Sequence, residues 1–283
     1  MGFTERYGPW ALIAGASEGL GAAYAEQAAL RGLNLFLVAR RSALLEETAA
    51  DYRARFPIEV RTLAVDLSNP DASDTVIKAV GALDVGLFIY NAAAAPQGRF
   101  IATSKQDLAF NIAVNCTTPT MLTQDVAERM VKRGHGGIVL IASMAALQGI
   151  KIFTHYGAAK AYELILGEGL WDEMRDHGIE AFSYVVGSTA TPNWNNNARM
   201  AKPGSEAMAK IAEMDALSRT VAAPRSPQEV AEPLFAVLDR QGANVEPRHY
   251  SHSDDEAHAI AAAKLSRSQV VETIGRATSA TFE

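Results

Sequence analysis

The sequence has little cysteine, and it lacks long apolar runs. With a single cysteine, Cys116, among 283 residues, no internal disulfide can form, which fits a reducing compartment. The longest apolar runs, such as 33–39, are as long as a strand and far short of the roughly 20 residues of a membrane helix. The first ten residues lack the apolar core of a secretory signal. We therefore expect a cytoplasmic protein.

A surplus of basic residues is also missing. The sequence has 26 Lys and Arg against 32 Asp and Glu, a formal net charge of −6 and a pI of about 5.6. Nothing supplies the basic stripe that a nucleic-acid-binding protein needs. Hydrophobic residues make up 48% and charged residues 20%, the composition of a folded protein. We expect a small-molecule partner, with neither nucleic acid nor membrane.

Short apolar runs alternate with longer helical stretches. Continuous apolar runs are typical of strands buried on both faces, and strand–helix alternation predicts a parallel sheet. We predict an α/β fold: a single Rossmann-like, doubly wound parallel sheet with helices on both faces, in one domain over residues 1–283. The predicted strands are 11–15, 33–39, 59–65, 84–90, 136–142 and 179–186, with helices near 20–31, 42–56, 71–80 and 228–240, and 244–247 as a weak seventh strand.

Two regions depart from this alternation. Residues 192–226 contain no strand candidate, and loops of that length are usually functional or mobile. We expect this segment to be a lid over the substrate. The tail from about residue 254 looks helical, with Ile260, Leu265 and Val270 on an imperfect apolar stripe.

A glycine turn joins the first strand to the first helix. Gly15, Gly19 and Gly21 fall where the chain must turn, and glycine lets a backbone approach a ligand closely. The helix that follows presents unpaired N–H groups and the positive end of its dipole, which suit a pyrophosphate. The alternative is a tight turn that only needs small residues. The position of the turn, after a buried strand of an alternating chain, favours a dinucleotide site.

The spacing G-x-x-x-G-x-G resembles the glycine motif of the short-chain dehydrogenase/reductase family. The resemblance runs from about residue 10 to 192, with an echo in SPQEVA (226–231). The stretches YGPWALIAG (7–15) and DVGLFIYN (84–91) look most like the branch of hydroxysteroid dehydrogenases and long-chain 3-oxoacyl reductases. Departures from the family pattern occur at Ala14, Tyr90, Ala93 and Val186.

The resemblance implies a role for several further residues. Asp66 would bond the adenine amine, although it could instead cap the next helix. Asn115 would bend its helix and hold a proton-relay water, with Asn111 as a competing candidate. Thr191, at the end of VGSTAT (186–191), would bond the nicotinamide amide. The implied cofactor contacts are Gly15, Ser17, Glu18, Gly19, Leu20, Gly21, Arg40, Asp66, Leu67, Asn91, Ala92, Tyr156, Lys160, Gly187, Thr189 and Thr191, and the implied catalytic residues are Asn115, Ser143, Tyr156 and Lys160.

Tyr156 and Lys160 stand four residues apart in an Ala-rich helical stretch, which puts both side chains on one face. An ordinary surface pair is the alternative. Hydride transfer to a carbonyl leaves negative charge on oxygen, so a proton donor is needed. A free tyrosine has a pKa near 10, and a neighbouring ammonium favours its phenolate. Ser143 follows a central strand and would hold the carbonyl oxygen. This context favours catalysis.

The end of the second strand bears on cofactor choice. An NAD enzyme would place an acid there for the ribose 2′-hydroxyl, whereas this sequence has Ala39 followed by Arg40 and Arg41. Arginine matches phosphate oxygens with a planar, permanently charged fork. Solvated charges before a helix are the alternative, most plainly for Arg41. We predict NADP(H) over NAD(H), read by Arg40.

Together these features predict an NADP(H)-dependent oxidoreductase acting on a carbonyl or secondary alcohol. A dinucleotide-binding redox sensor without turnover is the alternative, but the departures remove no reacting group. Nucleotide-sugar epimerases share the Tyr–Lys pair but usually space their glycines differently. Trp194, Met200, Met208 and Met214 hint at an apolar substrate, or equally at a packed helix near 205–217.

A homo-oligomer is also expected. The helix that starts near Tyr156 has apolar residues around most of its surface, more than packing against a sheet can cover. Family members commonly pair through this helix. Its apolar residues are Ala158, Ala159, Ala161, Leu164, Ile165, Leu166, Leu170, Trp171 and Met174.

Overall fold

A computed structural model describes residues 2–192, 224–240 and 246–282, with side chains through 278. Residues 193–223, which hold most of the predicted lid, lie outside the described residues. So do Trp194, Met200, Met208 and Met214, on which the expected apolar substrate partly depended. None of the described helices is long and apolar enough to cross a membrane.

The strands form one seven-stranded parallel sheet in the order β3-β2-β1-β4-β5-β6-β7. The predicted Rossmann-like fold is therefore confirmed, and the six predicted strands agree with the structure to within a residue at either end. The strands are β1 (Trp10–Ala14), β2 (Asn34–Ala39), β3 (Val60–Ala64), β4 (Val85–Tyr90), β5 (Gly136–Ser143), β6 (Ile179–Val186) and β7 (Arg248–Tyr250).

The seventh strand was predicted at 244–247, of which 244 and 245 lie outside the described residues. The structure places β7 directly after Pro247, where it pairs with the edge of β6 in the register Ser183↔Arg248. Pro247 contributes only its carbonyl, which accepts from the Ser183 N–H at 3.1 Å. Proline has no N–H to donate, so regular pairing starts one residue later. The three residues of β7 are half-buried, and they contain no apolar run that would mark a strand in the sequence.

Helices cover both faces of the sheet. The four helices predicted near 20–31, 42–56, 71–80 and 228–240 agree with the structure to within one residue at each end, and the helix predicted from Tyr156 begins two residues earlier, at Thr154. The predicted helical piece near 205–217 lies outside the described residues. The helices are α1 (Phe3–Tyr7), α2 (Gly19–Leu30), α3 (Ser42–Arg55), α4 (Ala72–Val80), α5 (Lys105–Ile112), α6 (Thr118–Arg133), α7 (Thr154–Arg175), α8 (Pro227–Asp239), α9 (Ser253–Ala263) and α10 (Arg267–Phe282).

Two apolar layers hold the sheet between the helices. Successive residues of a strand point to opposite faces, so Leu12 and Ile13 enter different layers. Phe182 and Leu234 belong to the layer of Ile13, and Phe88 to the other. All five side chains are fully buried. Burial on both faces explains the unbroken apolar runs and fixes the carboxyl ends of the strands along one edge.

The tail is helical as predicted, but its apolar face is different. Ile260 and Leu265 are exposed, whereas Val270 and Ile274 are buried next to Ile150. The chain stops being helical between Ala263 and Arg267, so a single stripe cannot run through both helices. After this break, the buried face of α10 packs next to Ile150 in the loop before α7.

Candidate active site

A cleft of about 280 Å³ opens at the carboxyl ends of the central strands. It lies beside the point where the strand order reverses between β1 and β4, the usual ligand position in open α/β sheets. Eight of the predicted site residues line it: Leu20, Asn91, Ser143, Tyr156, Lys160, Gly187, Thr189 and Thr191. The sequence therefore predicted most of one wall of this cleft.

The glycine turn is as tight as the motif requires. Gly15 has a positive φ of 81°, and a Cβ built on it would lie 2.7 Å from the Cα of Ala92. A Cβ on Gly21 would collide with the carbonyl oxygen of Gly15. These contacts alone would demand small residues. However, α2 begins at Gly19, and the side chain of its N-cap residue, Glu18, makes no capping hydrogen bond, which suits an anionic ligand at the first N–H groups.

Asn91 ties the ends of β1 and β4 together. Its side-chain nitrogen donates to the carbonyl of Gly15 at 3.0 Å, and its N–H to that of Ala14 at 3.1 Å. Ala92, also a predicted cofactor contact, is the residue against which Gly15 packs. Asn91 thereby holds the glycine turn at the cleft.

Tyr90 explains one departure from the family pattern. Its hydroxyl is fully buried and donates to the carbonyl of Val114 at 2.5 Å. Burial raises the pKa of this phenol well above its usual value, so it stays a neutral donor. Tyr90 therefore anchors the turn that contains Asn115.

Asn115 lies in a π-helical turn (Ala113–Thr117) between α5 and α6, which matches the predicted bend of its helix. Its amide donates to the carbonyl of Ala94 at 2.7 Å and accepts from the Ala94 N–H at 3.0 Å. The competing candidate Asn111 donates to the same carbonyl, also at 2.7 Å. Both asparagines are buried, so they support the loop after β4 with their side chains.

Ser143 and Tyr156 face the cleft from two elements. Ser143 is the last residue of β5, and its hydroxyl accepts from the N–H of Ala145 at 3.2 Å. Tyr156 lies in the first turn of α7, where its ring meets Phe153 edge to face with centroids 6.2 Å apart. The hydroxyls of both residues are thus held at one cleft by a strand end and a helix start.

Lys160 lies one turn beyond Tyr156 and is almost completely buried. Its ammonium donates to the carbonyl of Ile141 at 2.8 Å and to a carboxyl oxygen of Glu163 at 2.7 Å. Burial opposes the charge on Lys160, but the pKa of Lys160 is nevertheless raised because Glu163 stabilises the ammonium. Burial also raises the pKa of Glu163, to about 7. Sequence reasoning missed Glu163, although its i+3 spacing from Lys160 was visible.

The turn after β6 carries Gly187, Thr189 and Thr191. Arg225 closes this turn, because its backbone pairs with Ser188 and Ala190 at 3.0 and 2.7 Å. These backbone bonds fix the turn after β6, which lines the cleft on the side where the resemblance expects the nicotinamide.

The C-terminal tail supports the same turn. The carboxylate of Asp255, at the start of α9, accepts from Ser251 at 2.7 Å and from the guanidinium of Arg225 at 3.3 Å. Ser251 in turn accepts from the N–H of Gly187 at 3.4 Å. A Cβ on Gly187 would lie 2.5 Å from Asp255, so the glycine is required by packing.

The remaining predicted cofactor residues lie outside the lining of the cleft. Arg40 follows the end of β2 and is stacked 5.5 Å above the ring of Phe110, whereas Arg41 pairs with Glu18 at 2.5 Å. Asp66 accepts from the N–H and hydroxyl of Ser68 at 2.9 and 2.8 Å in a local turn. The N-cap residue of α4 is Asp71, so Asp66 does not cap that helix, and its contact with the adenine stays a prediction.

Two further predicted residues contribute backbone carbonyls to packing. Leu67 accepts from the hydroxyl of Thr118 at 2.7 Å. Ser17, which is buried, accepts from the hydroxyl of Thr48 at 2.9 Å. These two bonds join the segment after β3 to α6 and the segment after β1 to α3.

Sequence reasoning missed the apolar wall of the cleft. Residues from the loop before α7 and from the distant tail contribute it, and no local motif marks them. The missed lining residues include Met144, Ile150, Phe153, His258, Ile274 and Thr278.

Comparison with known proteins agrees with this architecture. Residues 9–202 match the family model for short chain dehydrogenases. A 7beta-hydroxysteroid dehydrogenase of Clostridium sardiniense is 30% identical over 85% of this chain and 86% of its own length. The very-long-chain 3-oxoacyl-CoA reductase of Bos taurus is 27% identical over 72% and 67%.

Among solved structures, a short-chain dehydrogenase from Sphingobium yanoikuyae in complex with NADPH is 30% identical, with a TM-score of 0.74 over 90% of this chain and 93% of its own. The predicted resemblance is thus confirmed, including the branch that it named. The family match spans more than half of the chain and includes the glycine turn, Ser143, Tyr156 and Lys160. The protein belongs to the short-chain dehydrogenase family of oxidoreductases.

Proposed function

We propose that this protein transfers a hydride between NADP(H) and an apolar ketone or secondary alcohol, as a single domain. The observation that carries the proposal is the convergence of Ser143, Tyr156 and Lys160 on one cleft at the strand switch point. Two elements, β5 and α7, supply them, and their polar groups face the same space. That arrangement suits a reaction in which a substrate oxygen is bound and protonated.

The residues present fit a dinucleotide. The uncapped N-terminus of α2 suits a pyrophosphate, and Gly15 and Gly21 let backbone approach closely. Thr191 and Gly187 would hold the nicotinamide end, and Lys160 the ribose. When bound, the reduced cofactor supplies the hydride that adds to the carbonyl carbon.

Each catalytic side chain then has one task. The Ser143 hydroxyl donates a hydrogen bond to the substrate oxygen and stabilises its developing negative charge. The Tyr156 hydroxyl gives its proton to that oxygen in reduction and takes it back in oxidation. The Lys160 ammonium favours the phenolate that this transfer leaves behind. Asn115 maintains the path by which Tyr156 regains a proton from solvent.

Preference for the phosphorylated cofactor is supported by the end of β2. The strand ends at Ala39, where an NAD enzyme would place an acidic residue, and Arg40 follows directly. The 30% identical dehydrogenase from Sphingobium yanoikuyae is an NADPH complex, which agrees with this assignment. We further propose reduction as the direction in the cell.

The substrate is proposed to be steroid-like. Met144, Ile150, Phe153 and Ile274 give the cleft a large apolar surface, with Ser143 at its polar end. The hydroxysteroid dehydrogenase relative aligns over more of this chain than the 3-oxoacyl-CoA reductase does. We therefore rank an oxo-steroid above a 3-oxoacyl thioester. The relatives are named as enzymes, and they lend no support to a redox sensor without turnover.

The test is NADPH oxidation against a panel of carbonyl compounds. The panel contains a 7-oxo steroid, a 3-oxoacyl thioester, a small aliphatic ketone and a polar ketose. We expect the highest kcat/KM with the steroid and the lowest with the ketose, because the apolar wall gives no partner for several hydroxyl groups. A ketose turned over best would reject the apolar substrate.

A further inference from the structure

Glu163 is a buried carboxylate for which the proposed reaction has no task. It lies on α7 one turn after Lys160, and none of its surface is exposed. One oxygen accepts from the Lys160 ammonium at 2.7 Å. The other, Oε1, is buried without a hydrogen-bond partner among the described residues. A buried carboxylate lacking half of its hydrogen bonds is costly, so it calls for an explanation beyond packing.

The N–H donors of the Lys160 ammonium explain why a carboxylate is buried at this position. A lysine ammonium has three N–H groups and no acceptor. One points to Glu163 and a second to the carbonyl of Ile141 in β5, at 2.8 Å. Because Lys160 also lines the cleft, the third N–H is left for whatever occupies the cleft. The two acceptors, Glu163 and Ile141, thus fix the direction in which the third N–H of Lys160 points.

The charges around this pair come from three elements. Lys160 and Tyr156 lie on α7, Cys116 lies in the π-helical turn, and Tyr90 lies on β4. Of these, Lys160 alone carries a positive charge, and it is almost fully buried. Without a counter-ion, burial would favour its neutral amine, which offers the phenol of Tyr156 no electrostatic help.

We propose that Glu163 is a positioning residue for Lys160, holding the ammonium charged and aiming its one remaining N–H at the cleft. This inference rests on the proposed function, in which Lys160 serves Tyr156 and the ribose. Apolar residues in place of both Lys160 and Glu163 would fill the same space without burying any charge, and such replacements of a whole buried pair are often neutral or stabilising. The carboxylate is therefore placed for the chemistry of Lys160.

The kinetic test compares Glu163→Gln and Glu163→Asp with the wild-type protein. The glutamine keeps the shape and one acceptor oxygen but removes the charge. We expect its kcat with NADPH and ketone to fall about tenfold or more, the size of a lost charged hydrogen bond. The KM for the ketone should change little, because Glu163 does not line the cleft. The aspartate keeps the charge and should recover part of kcat.

Cys116 supplies a second readout that needs no turnover. It is the only cysteine, and burial and the negative charge of Glu163 raise the pKa of its thiol while Lys160 lowers it. Lys160→Met removes the ammonium, so it should raise the pH midpoint for alkylation of Cys116 by iodoacetamide in the wild-type protein. In the Glu163→Gln background the lysine should already be neutral, so the same change should move the midpoint little. A purely structural role for Glu163 would leave the effect of Lys160→Met equal in both backgrounds.

The outcomes separate the two proposals. If a folded Glu163→Gln variant keeps wild-type kcat, the positioning role is rejected. If Lys160→Met raises the Cys116 midpoint equally in the wild-type and Glu163→Gln backgrounds, the charged pair is rejected. If circular dichroism shows that the glutamine variant does not fold, Glu163→Asp takes its place in the kinetic assay, with a smaller loss of kcat expected because the carboxylate is displaced from the ammonium, and a wild-type kcat again rejects the positioning role. A wild-type protein that reduces no ketone would sink the proposed function, while Cys116 alkylation would still decide whether Glu163 carries the charge.

Discussion

At the scale of single residues, Arg40 and Arg41 follow the same strand but have different surroundings. Arg41 is paired with Glu18, whereas Arg40 is stacked over Phe110. We predict that Arg40→Ala weakens NADPH binding about tenfold or more and leaves NADH nearly unchanged, because a hydrogen bond to a charged group is worth about 1.5–3 kcal/mol. Arg41→Ala is the matched control and should discriminate far less between the cofactors. Calorimetric titration with both cofactors measures this, and equal weakening of the two by Arg40→Ala would contradict it.

Glu163 also makes stability depend on pH. Its pKa is raised from 4.5 to about 7, so between these values the folded state binds more protons than the unfolded state. The stabilisation is present below pH 4.5 and is lost as pH rises through about 7. We predict that the free energy of unfolding of the wild type falls, relative to Glu163→Gln, between pH 5 and pH 8. Urea unfolding at both values tests this, and a constant difference between the two proteins would refute it.

The sequence predicted the reacting groups better than their supports. Ser143, Tyr156 and Lys160 were predictable because their residue types and spacing reflect the chemistry itself. Two supports were not predicted: Tyr90 bonds Val114, which is 24 residues away, and the burial that pairs Glu163 with Lys160 is not visible in their local spacing. For Asp66 the structure shows a local turn with Ser68, and the predicted contact with the adenine stays a prediction.

At the scale of elements, α9 holds the turn after β6 through Asp255. This carboxylate is fully buried and binds both Ser251 and Arg225. We predict that Asp255→Asn lowers the free energy of unfolding by about 1–3 kcal/mol, the cost of weakening a buried charged network. The change should also lower kcat, because the turn carries Gly187 and Thr191.

The matched control for that prediction is Asp254→Asn. Asp254 also pairs with Arg225, but its side chain is 61% exposed, so solvent screens the interaction. It should unfold at nearly the wild-type urea concentration. Equal destabilisation by the two changes would mean that Arg225, and not the buried network, is what holds the turn.

Strands and helices were predictable where the local sequence pattern determined them. The six long strands were visible because burial on both faces makes an unbroken apolar run. The strand β7 was misplaced because a three-residue edge strand leaves no such run, and its start is set by pairing with Ser183. The tail stripe was wrong because the break between Ala263 and Arg267 changes which residues face inward.

At the scale of the whole molecule, we propose a homo-oligomer that pairs through α7. Only part of the predicted apolar surface is exposed, because Ala159 and Leu164 are buried and Leu166, Leu170 and Met174 pack against the core. The exposed face carries Ile165 and Tyr162, and the neighbouring helices α5 and α6 add Ile112 and Met121. Such a patch is typical of an interface.

We predict that Ile165→Glu dissociates this oligomer, because a carboxylate in an apolar interface loses its hydration. Ile165 is 61% exposed in the chain, so the monomer should still fold. Ile260→Glu, at a residue 54% exposed on α9, is the control and should leave the oligomer intact. Light scattering at micromolar concentration measures both. A wild-type mass of 30.3 kDa would refute the oligomer itself.

The architecture of the whole molecule was predictable from the order of strands and helices, since right-handed crossovers leave few other arrangements. The complete set of residues that line the cleft was not predictable from the sequence. Its apolar wall joins Phe153 and Ile150 to Ile274 and Thr278, which are more than a hundred residues away in the chain. Only the path of the tail brings them together.

The central claim is that Tyr156 is the proton donor of an NADPH-dependent ketone reductase. Its most direct test is ketone-dependent NADPH oxidation by the wild type and by Tyr156→Phe, with NADPH affinity measured on both proteins. Phenylalanine keeps the ring against Phe153 and removes only the hydroxyl. The account predicts wild-type turnover, unchanged NADPH affinity, and a loss of at least ~100-fold in the variant's turnover. Near-normal turnover by Tyr156→Phe would contradict it.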